Sequence, residues 1–219
     1  MTSSRPHRRP WPALAVMMLT CVGLAGLVAL VPGNPDFQQD AASSVVLILA
    51  FAAFGLVGAL IIWQRPGNGL GWIMAAVGLL ASWGPLADTY ADIAYDAGRG
   101  SDALSLVSVW VSLWYWYPLL GLILLLTPLL FPDGHPPSPR WRPVVWLAAL
   151  DIALITFLAA FRERFKVSGV SIDNPVGIPG IENPEQSRLG SVLFSILFIF
   201  LGAALLSVVV RYRWSGSVE

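Results

Sequence analysis

The sequence predicts an all-α protein, a polytopic bundle of about six transmembrane helices. Apolar residues make up 56% of the chain and charged residues 12%, whereas soluble domains usually contain roughly 25% charged residues. The mean hydropathy is +0.70. The apolar residues come in blocks long enough to cross a bilayer, and nearly all charges lie between the blocks. Such a chain has too little polar surface to cover a soluble globule.

Six blocks have about the 17–25 residues that cross the hydrocarbon layer as a helix. They lie at about 11–31, 45–63, 70–86, 110–131, 144–161 and 189–210. Lipid offers no partner to free backbone N–H and C=O groups, so uninterrupted apolar runs of this length are expected to be helical. The predicted organisation is a transmembrane domain at 11–214, between a basic N-terminal tail at 1–10 and a short end at 215–219.

The first block follows Arg5, Arg8 and Arg9, and basic residues before an apolar run also introduce signal peptides. Its 21 residues at 11–31 exceed the ~7–15 of a signal peptide's apolar region, so we predict a retained helix. The single cysteine, Cys21, lies inside it. One cysteine excludes an intramolecular disulfide and a thiolate metal cluster, and we expect this thiol to be buried and inert.

The second and third blocks are joined by a turn sequence at 64–69, which makes them antiparallel neighbours. In lipid, small residues promote helix association because they let backbones approach closely. Such residues share one face of each predicted helix: Ala52, Gly55 and Ala59 on the second, and Gly71, Ala75, Gly78 and Ser82 on the third. We predict that these two faces meet.

Three aspartates follow the third block at intervals of four residues. If the helix continues beyond the block, Asp88, Asp92 and Asp96 share one face, with Tyr95 beside it. This acidic face suits a cation or a cationic peptide as ligand, and the same pattern is typical of a solvated loop.

The fourth block contains Pro118 and Pro128, which predict bends that neighbouring helices stabilise. Five aromatic residues lie near its start: Trp110, Trp114, Tyr115, Trp116 and Tyr117. Aromatic rings of this kind concentrate at membrane interfaces. An interface anchor is therefore the first interpretation, and an aromatic-lined ligand cleft is the alternative.

Asp151 is the one carboxylate well inside a predicted span. An ionised carboxylate at that depth costs about 2.5–3.5 kcal/mol on insertion scales, so it should face the bundle and find a partner or take a proton. We consider a signalling or proton-linked role for it, and a plain interhelical hydrogen bond as the alternative.

The segment at 167–187, between the fifth and sixth blocks, is rich in Pro, Gly and Asn. It is too long to be a simple connection. We expect it to be the largest extracytoplasmic element and the first place for a ligand, although the composition also suits a disordered loop.

The orientation follows from Arg and Lys in the short loops, which favour the cytoplasmic side. With the N-terminus inside, eight of the 13 basic residues are cytoplasmic, and five lie outside with ten of the 13 carboxylates. Both termini are then cytoplasmic. Arg162, Arg164 and Lys166 are the discordant outer group.

No catalytic pattern is found. The two histidines, His7 and His135, lie in polar segments without companion ligands. The sequence has no nucleophile elbow, zinc pattern or nucleotide loop, and no basic stripe for nucleic acid. We therefore expect no enzyme activity, no cofactor, no metal site and no nucleic-acid partner.

Four segments resemble the membrane-embedded N-terminal region of actinobacterial sensor histidine kinases. They are residues 60–73, which contain the 64–69 turn, residues 129–143 with the Phe-Pro-Asp-Gly sequence, the loop at 174–178, and the basic exit at 211–219. Family members continue into a phosphoacceptor-histidine helix and an ATP-binding domain, and this sequence carries neither. No residue here inherits a kinase role.

The resemblance implies a sensory input module of a two-component system in the bacterial plasma membrane, non-catalytic in itself. The expected partners are the lipid bilayer, a second copy of the chain, or a separate cytoplasmic kinase or response protein. A small transporter or channel-like protein is the main alternative. It is disfavoured by the single intramembrane charge and by the lack of a detectable inverted repeat. A membrane assembly or scaffold subunit is the third interpretation.

Overall fold

The computed structural model of the chain describes residues 11–30, 41–167 and 170–215. Six helices are described: α1 Trp11–Leu30, α2 Ala41–Gln64, α3 Gly69–Asp96, α4 Ala103–Leu130, α5 Arg142–Phe161 and α6 Arg188–Ser215. A two-stranded antiparallel hairpin, β1 Arg164–Val167 and β2 Val170–Asp173, lies between α5 and α6. The all-α fold class is confirmed. The predicted basic tail at 1–10, and residues 216–219 of the predicted end, lie outside the described residues.

Five of the described helices are long and apolar enough to cross a membrane, namely α1, α3, α4, α5 and α6. In α2 the segment Leu49–Gln64 forms a shorter apolar helix, although the whole of α2 has 24 residues and spans about 36 Å at 1.5 Å per residue. The chain is therefore a membrane protein built as a helical bundle.

Helices α2, α3, α4 and α6 extend beyond their predicted apolar blocks by several residues, because helical geometry continues where the side chains become polar. α3 has 28 residues, about 42 Å, which exceeds the ~30 Å of bilayer hydrocarbon. Its start is capped by Asn68, whose side chain accepts a hydrogen bond from the Leu70 N–H at 2.9 Å. Its acidic C-terminal turns, for which the sequence allowed either a helix or a loop, are helical.

The predicted contact between the small-residue faces of α2 and α3 is confirmed. A Cβ atom added to Gly78 would lie 2.3 Å from Cα of Gly55, and one added to Gly58 would lie 2.4 Å from N of Ala75. Helix α1 packs across both helices, with Val16 in one apolar cluster with residues of α2 and α3. The first three helices therefore form one close-packed unit.

Cys21 is exposed on α1, so the expectation of a buried thiol is wrong. The buried residues of this helix follow the helical repeat and are Ala13, Val16, Thr20, Gly23 and Leu27. Position 21 falls outside that stripe, because a helix in lipid needs only one face against its neighbours.

The second half of the bundle is formed by α4, α5 and α6, around a cluster that includes Leu125, Ala148, Ile152 and Ala204. Between the two prolines, α4 contains a π-helical segment at Leu122–Leu126. The Thr127 hydroxyl donates to the Leu122 carbonyl, five residues earlier, at 2.8 Å. The bend that the prolines predict is thus accommodated inside α4 by a wider turn with a side-chain bond.

Candidate functional site

The polar elements of the chain lie at the two ends of the bundle. At one end, which we call the hairpin end, the hairpin and residues 174–187, which we call the strap, pack on α3, α4 and α5. At the other, the loop end, the turn at 65–68, the connection at 131–141 and the C-terminal part of α6 come together. We describe the hairpin end first.

Phe165 attaches the hairpin to the bundle. Its side chain is buried in a cluster with Ala91 of α3 and Val109 of α4, and Ile172, its partner on the opposite strand, packs against the same cluster. Burying a phenylalanine stabilises such a contact by about 1.5–3 kcal/mol. The hairpin therefore rests on the ends of two helices that are distant from it in sequence.

Asn174 fixes the end of α5. Its side-chain amide donates to the carbonyls of Ala160 and Arg162, at 3.0 and 2.8 Å, and the indole N–H of Trp110 also donates to the Ala160 carbonyl, at 2.8 Å. The last carbonyls of a helix lack partners within the helix. Asn174 and Trp110 supply those partners, and Asn174 is itself buried.

Backbone hydrogen bonds join the strap to the start of the hairpin. The Ile178 N–H donates to the Phe161 carbonyl at 2.9 Å, and the Glu163 N–H donates to the Ile181 carbonyl at 2.8 Å. The Gly180 N–H donates to a carboxylate oxygen of Glu163 at 3.0 Å. Within the described part of the segment at 167–187, for which the sequence allowed either a ligand region or a disordered loop, residues 174–181 thus have a defined hydrogen-bonded structure.

The strap continues directly into α6 through a close backbone contact. Pro184 is fully buried, and a Cβ atom added to Gly190 of α6 would lie 1.8 Å from the Pro184 carbonyl oxygen. The Tyr117 hydroxyl donates to Glu185 at 3.3 Å. The start of α6 is therefore held against the strap and α4.

A polar cavity of about 590 Å³ lies between the hairpin and the strap. Its lining includes Arg162, Glu163, Arg164, Glu182, Asn183 and Gln186. Ligand pockets usually have about 300–1,000 Å³, so the volume is adequate for a small molecule.

The two arginines that line this cavity differ in their partners. Arg164 pairs with Asp173 at 2.9 Å, and both side chains are exposed. Arg162 is half-buried, and its guanidinium makes no ion pair or hydrogen bond with another described residue. Burial lowers the pKa of the Arg162 guanidinium from its ordinary value, while Tyr117 and Glu185 act in the opposite direction.

At the loop end, Gly134 lies directly against the cap of α3. It has a φ of +75°, and a Cβ atom there would lie 2.0 Å from the Asn68 side-chain oxygen. Only glycine combines this backbone conformation with so close an approach. The connection at 131–141 is thereby fixed to the start of α3.

Arg211 ties α6 to the same place. Its guanidinium donates to the Leu129 carbonyl at 3.1 Å and to the His135 carbonyl. One turn earlier, the Ser207 hydroxyl donates to the Pro128 carbonyl at 3.2 Å. We call this set of contacts the Arg211 clamp.

Comparisons with protein-family models, curated protein sequences and solved structures return no significant match. The resemblance to sensor histidine kinases therefore stays a prediction. Residues 60–73, 129–143 and 211–215 meet at the loop end, whereas 174–178 lies at the hairpin end, and residues 216–219 lie outside the described residues.

Asp88, Asp92 and Asp96 occupy the last turns of α3 with exposed side chains. Asp88 lies close to the Ser112 hydroxyl of α4, which donates to the Val109 carbonyl at 2.7 Å. The Tyr95 ring packs on the following turn, where a Cβ atom added to Gly100 would lie 2.6 Å from the ring. Within the described residues, no group of three or more His, Cys, Asp or Glu side chains could hold a metal ion. A cationic ligand for this face stays a prediction.

Asp151 faces the bundle as predicted, with 4% of its surface exposed. Neither carboxylate oxygen has a hydrogen-bond partner in the part of the chain that the structure describes. The interhelical hydrogen bond considered from the sequence is therefore not made by the described residues.

The aromatic group near the start of α4 divides into different roles. Tyr115 is 1% exposed and belongs to a core cluster with Val77 and Ala81 of α3, so an interface anchor is wrong for this residue. Its ring occupies the space that a side chain on Gly84 would need, 2.1 Å from that Cβ position. Trp110 and Trp114 line an apolar groove of about 510 Å³ between α4 and α5, and a ligand for this groove stays a prediction.

Sequence analysis identified neither Asn174 nor Arg211 as a positioning residue, and it noted Arg162 only as a charge that disagrees with the predicted orientation. The role of Arg211 could have been inferred from the sequence, since Arg211 is the first basic residue after the last apolar block. Asn174 and Arg162 depend on contacts across the α5 end that no local pattern reveals.

Proposed function

We propose that the chain is a sensory input module of the cell membrane, which binds a ligand at the hairpin end and passes the effect along α6 to the loop end. The predicted orientation puts the hairpin end outside and the loop end in the cytoplasm. The module is non-catalytic, and a separate or attached transmitter reads its state.

The observation that carries this proposal is the attachment of α6 at both ends. Its first turn packs on the strap through Gly190, and its last turns are held by the Arg211 clamp. A continuous helix of 28 residues moves as a stiff element, so a displacement at one end is expected at the other. Helix shifts of about 1–2 Å are a common form of signal transfer.

Asp151 adds support, because a buried carboxyl without a partner is costly and such groups commonly mark functional positions in membrane proteins. It lies in α5, which packs against α6 within the apolar cluster. We assign it the role of biasing that packing.

A substitution at the hairpin end, read out at the loop end, tests the transfer. Spin labels are attached to cysteines introduced at Arg140 and Arg213, both exposed, in a Cys21→Ser background in lipid nanodiscs. Gly190→Ala pushes α6 away from Pro184, and we expect a shifted or broadened distance distribution between the labels. Gly202→Ala is the matched control in the same helix, because nothing lies within 4 Å of its added Cβ.

The label distances distinguish a sensory module from a protein in which α6 transmits nothing. A distance that changes in Gly190→Ala and not in Gly202→Ala supports transfer along α6. If hydrogen exchange shows the strap disturbed by Gly190→Ala while the label distance keeps the parent distribution, α6 does not transmit and the sensory assignment is wrong.

A further inference from the structure

The hairpin-end cavity contains one cationic and one anionic side chain that form no ion pair with another described residue. The Arg162 guanidinium makes no ion pair or hydrogen bond with another described residue, and its Nε is buried without a partner. The Glu185 carboxylate, which accepts from the Tyr117 hydroxyl, acts on this guanidinium only from beyond ion-pair distance. Glu182, on the strap side of the cavity, is likewise without a described partner. Arg164 and Glu163 are already engaged, with Asp173 and with the Gly180 N–H.

The unpaired groups favour a ligand that carries both charges. A guanidinium offers planar N–H donors that match carboxylate and phosphate oxygens, and burial makes unmet donors costly. Arg162 and Glu182 offer opposite charges to this cavity, whereas the charge of Arg164 is already balanced by Asp173. A ligand with a single charge would satisfy only one of the two groups, whereas a zwitterion would satisfy both.

We propose that this cavity binds a small zwitterion, with its oxyanion on the Arg162 guanidinium and its ammonium group facing Glu182. The assignment names the ligand class of the sensory site and so rests on the proposed function for its biological meaning. The volume of about 590 Å³ accommodates an amino-acid-sized solute with bound water.

The position of the cavity allows a zwitterion to reach it from two places. Arg162 directly follows the end of α5 at Phe161, where a membrane helix meets the headgroup layer. A free amino-acid-type solute would reach it from water, and the headgroup of a zwitterionic phospholipid would reach it from the bilayer.

Calorimetry on the full chain in nonionic detergent tests the proposal with four soluble probes. Glutamine represents a free zwitterion, glycerophosphoethanolamine represents a lipid headgroup, and acetate and ethylammonium each carry one charge. We expect one of the two zwitterions to bind at a ratio near one, at least tenfold more tightly than either single-charge probe. Binding by glutamine identifies a solute, and binding by glycerophosphoethanolamine identifies a headgroup.

Two substitutions locate the site. Arg162→Gln should weaken binding at least tenfold, and Arg188→Gln, an exposed arginine at the same end outside the cavity lining, should leave it unchanged. Glu182→Gln, on an exposed strap side chain, should weaken the zwitterion while leaving acetate unaffected. This second variant keeps the test decisive if Arg162→Gln fails to fold.

Three results overturn the inference: neither zwitterion binds, acetate binds as tightly as the zwitterion, or Glu182→Gln has no effect on zwitterion binding. Its failure is distinguishable from failure of the proposed function. A zwitterion that binds without moving the labels at positions 140 and 213 preserves the ligand class and contradicts the sensory mechanism. Labels that move with Gly190→Ala, in a protein that binds no zwitterion, preserve the sensory mechanism and contradict the ligand class.

Discussion

Any residue larger than glycine is excluded at position 134 for two separate reasons. The φ of +75° at Gly134 disfavours any L side chain, and its Cβ position is occupied by the Asn68 oxygen. We predict that Gly134→Ala lowers the free energy of unfolding by about 2 kcal/mol or more, since left-handed strain of about 1–2 kcal/mol adds to the loss of the α3 cap, about 1 kcal/mol. Thermal unfolding in detergent measures the effect.

Gly98→Ala is the control for this prediction. Gly98 has a similar φ of +71°, but nothing lies within 4 Å of its Cβ position, so only the backbone strain lowers its stability. Equal losses in the two variants would mean that the contact between Gly134 and Asn68 contributes nothing.

A substitution at Asp151, unlike one at Gly134, is expected to cause no loss of stability. Asp151→Asn keeps the size of the side chain, removes a buried ionisable group and breaks no hydrogen bond to a described residue, so we predict unchanged or higher stability. Ser207→Ala is the comparison: that hydroxyl is fully buried and bonded to the Pro128 and Ala204 carbonyls, and its loss should cost about 1 kcal/mol. A loss in Asp151→Asn as large as that in Ser207→Ala would show that the carboxylate has a partner.

The burial of a single residue was predictable where one large free-energy contribution decides it. Asp151 had to face the bundle, because lipid penalises a carboxylate heavily. Tyr115 was missed, because tyrosine suits both an interface and a core. What decides between them is Gly84, a small residue 31 positions earlier that leaves room for the ring.

At the scale of elements, the end of α5 depends on one side chain from the strap. We predict that Asn174→Asp destabilises the hairpin end by about 1–3 kcal/mol, because it removes two donated hydrogen bonds and sets a carboxylate against the Ala160 and Arg162 carbonyls. Faster hydrogen exchange or proteolysis within residues 162–187 is the readout.

Asn183→Asp makes the same chemical change without that loss. The Asn183 side chain accepts one bond, from the Glu185 N–H at 3.3 Å, and a carboxylate accepts it equally well. Comparable exchange rates in the two variants would rule out Asn174 as the residue that holds the α5 end.

The elements that the sequence predicted are those with a local physical cause. Apolar runs became helices because lipid leaves the backbone no other partner, and Gly55 and Gly78 met because small residues favour close approach. The hairpin was not predicted. Its strands have four residues each, and they pair on a platform supplied by α3 and α4, which no pattern within 164–173 encodes.

For the whole molecule, orientation in the membrane sets the direction of the proposed signal. The described structure gathers Arg65, Arg140, Arg142, Arg211 and Arg213 at the loop end, the end that the sequence predicts to be cytoplasmic. We predict that a membrane-impermeant maleimide labels a cysteine introduced at Asp102, at the hairpin end, on intact cells in a Cys21→Ser background. A cysteine introduced at Arg140 should react only after lysis.

Both positions are exposed, so differences in labelling report the side of the membrane rather than burial. The reverse pattern would invert the predicted topology. It would also place the zwitterion cavity in the cytoplasm and remove the outward-to-inward direction of the proposed signal.

The outward surface of α6 extends the role of this helix beyond a ligand response. Phe198, Ile199, Leu205 and Leu206 are each at least 60% exposed, so the described residues of the chain leave this side of the helix open to the acyl chains of a bilayer. A transmembrane helix adjusts its tilt when its hydrophobic length and the bilayer thickness differ. In α6 that tilt is restrained by the strap at one end and by the Arg211 clamp at the other. A mismatch between the hydrophobic length of α6 and the bilayer thickness would therefore strain the same two contacts that a bound solute would strain.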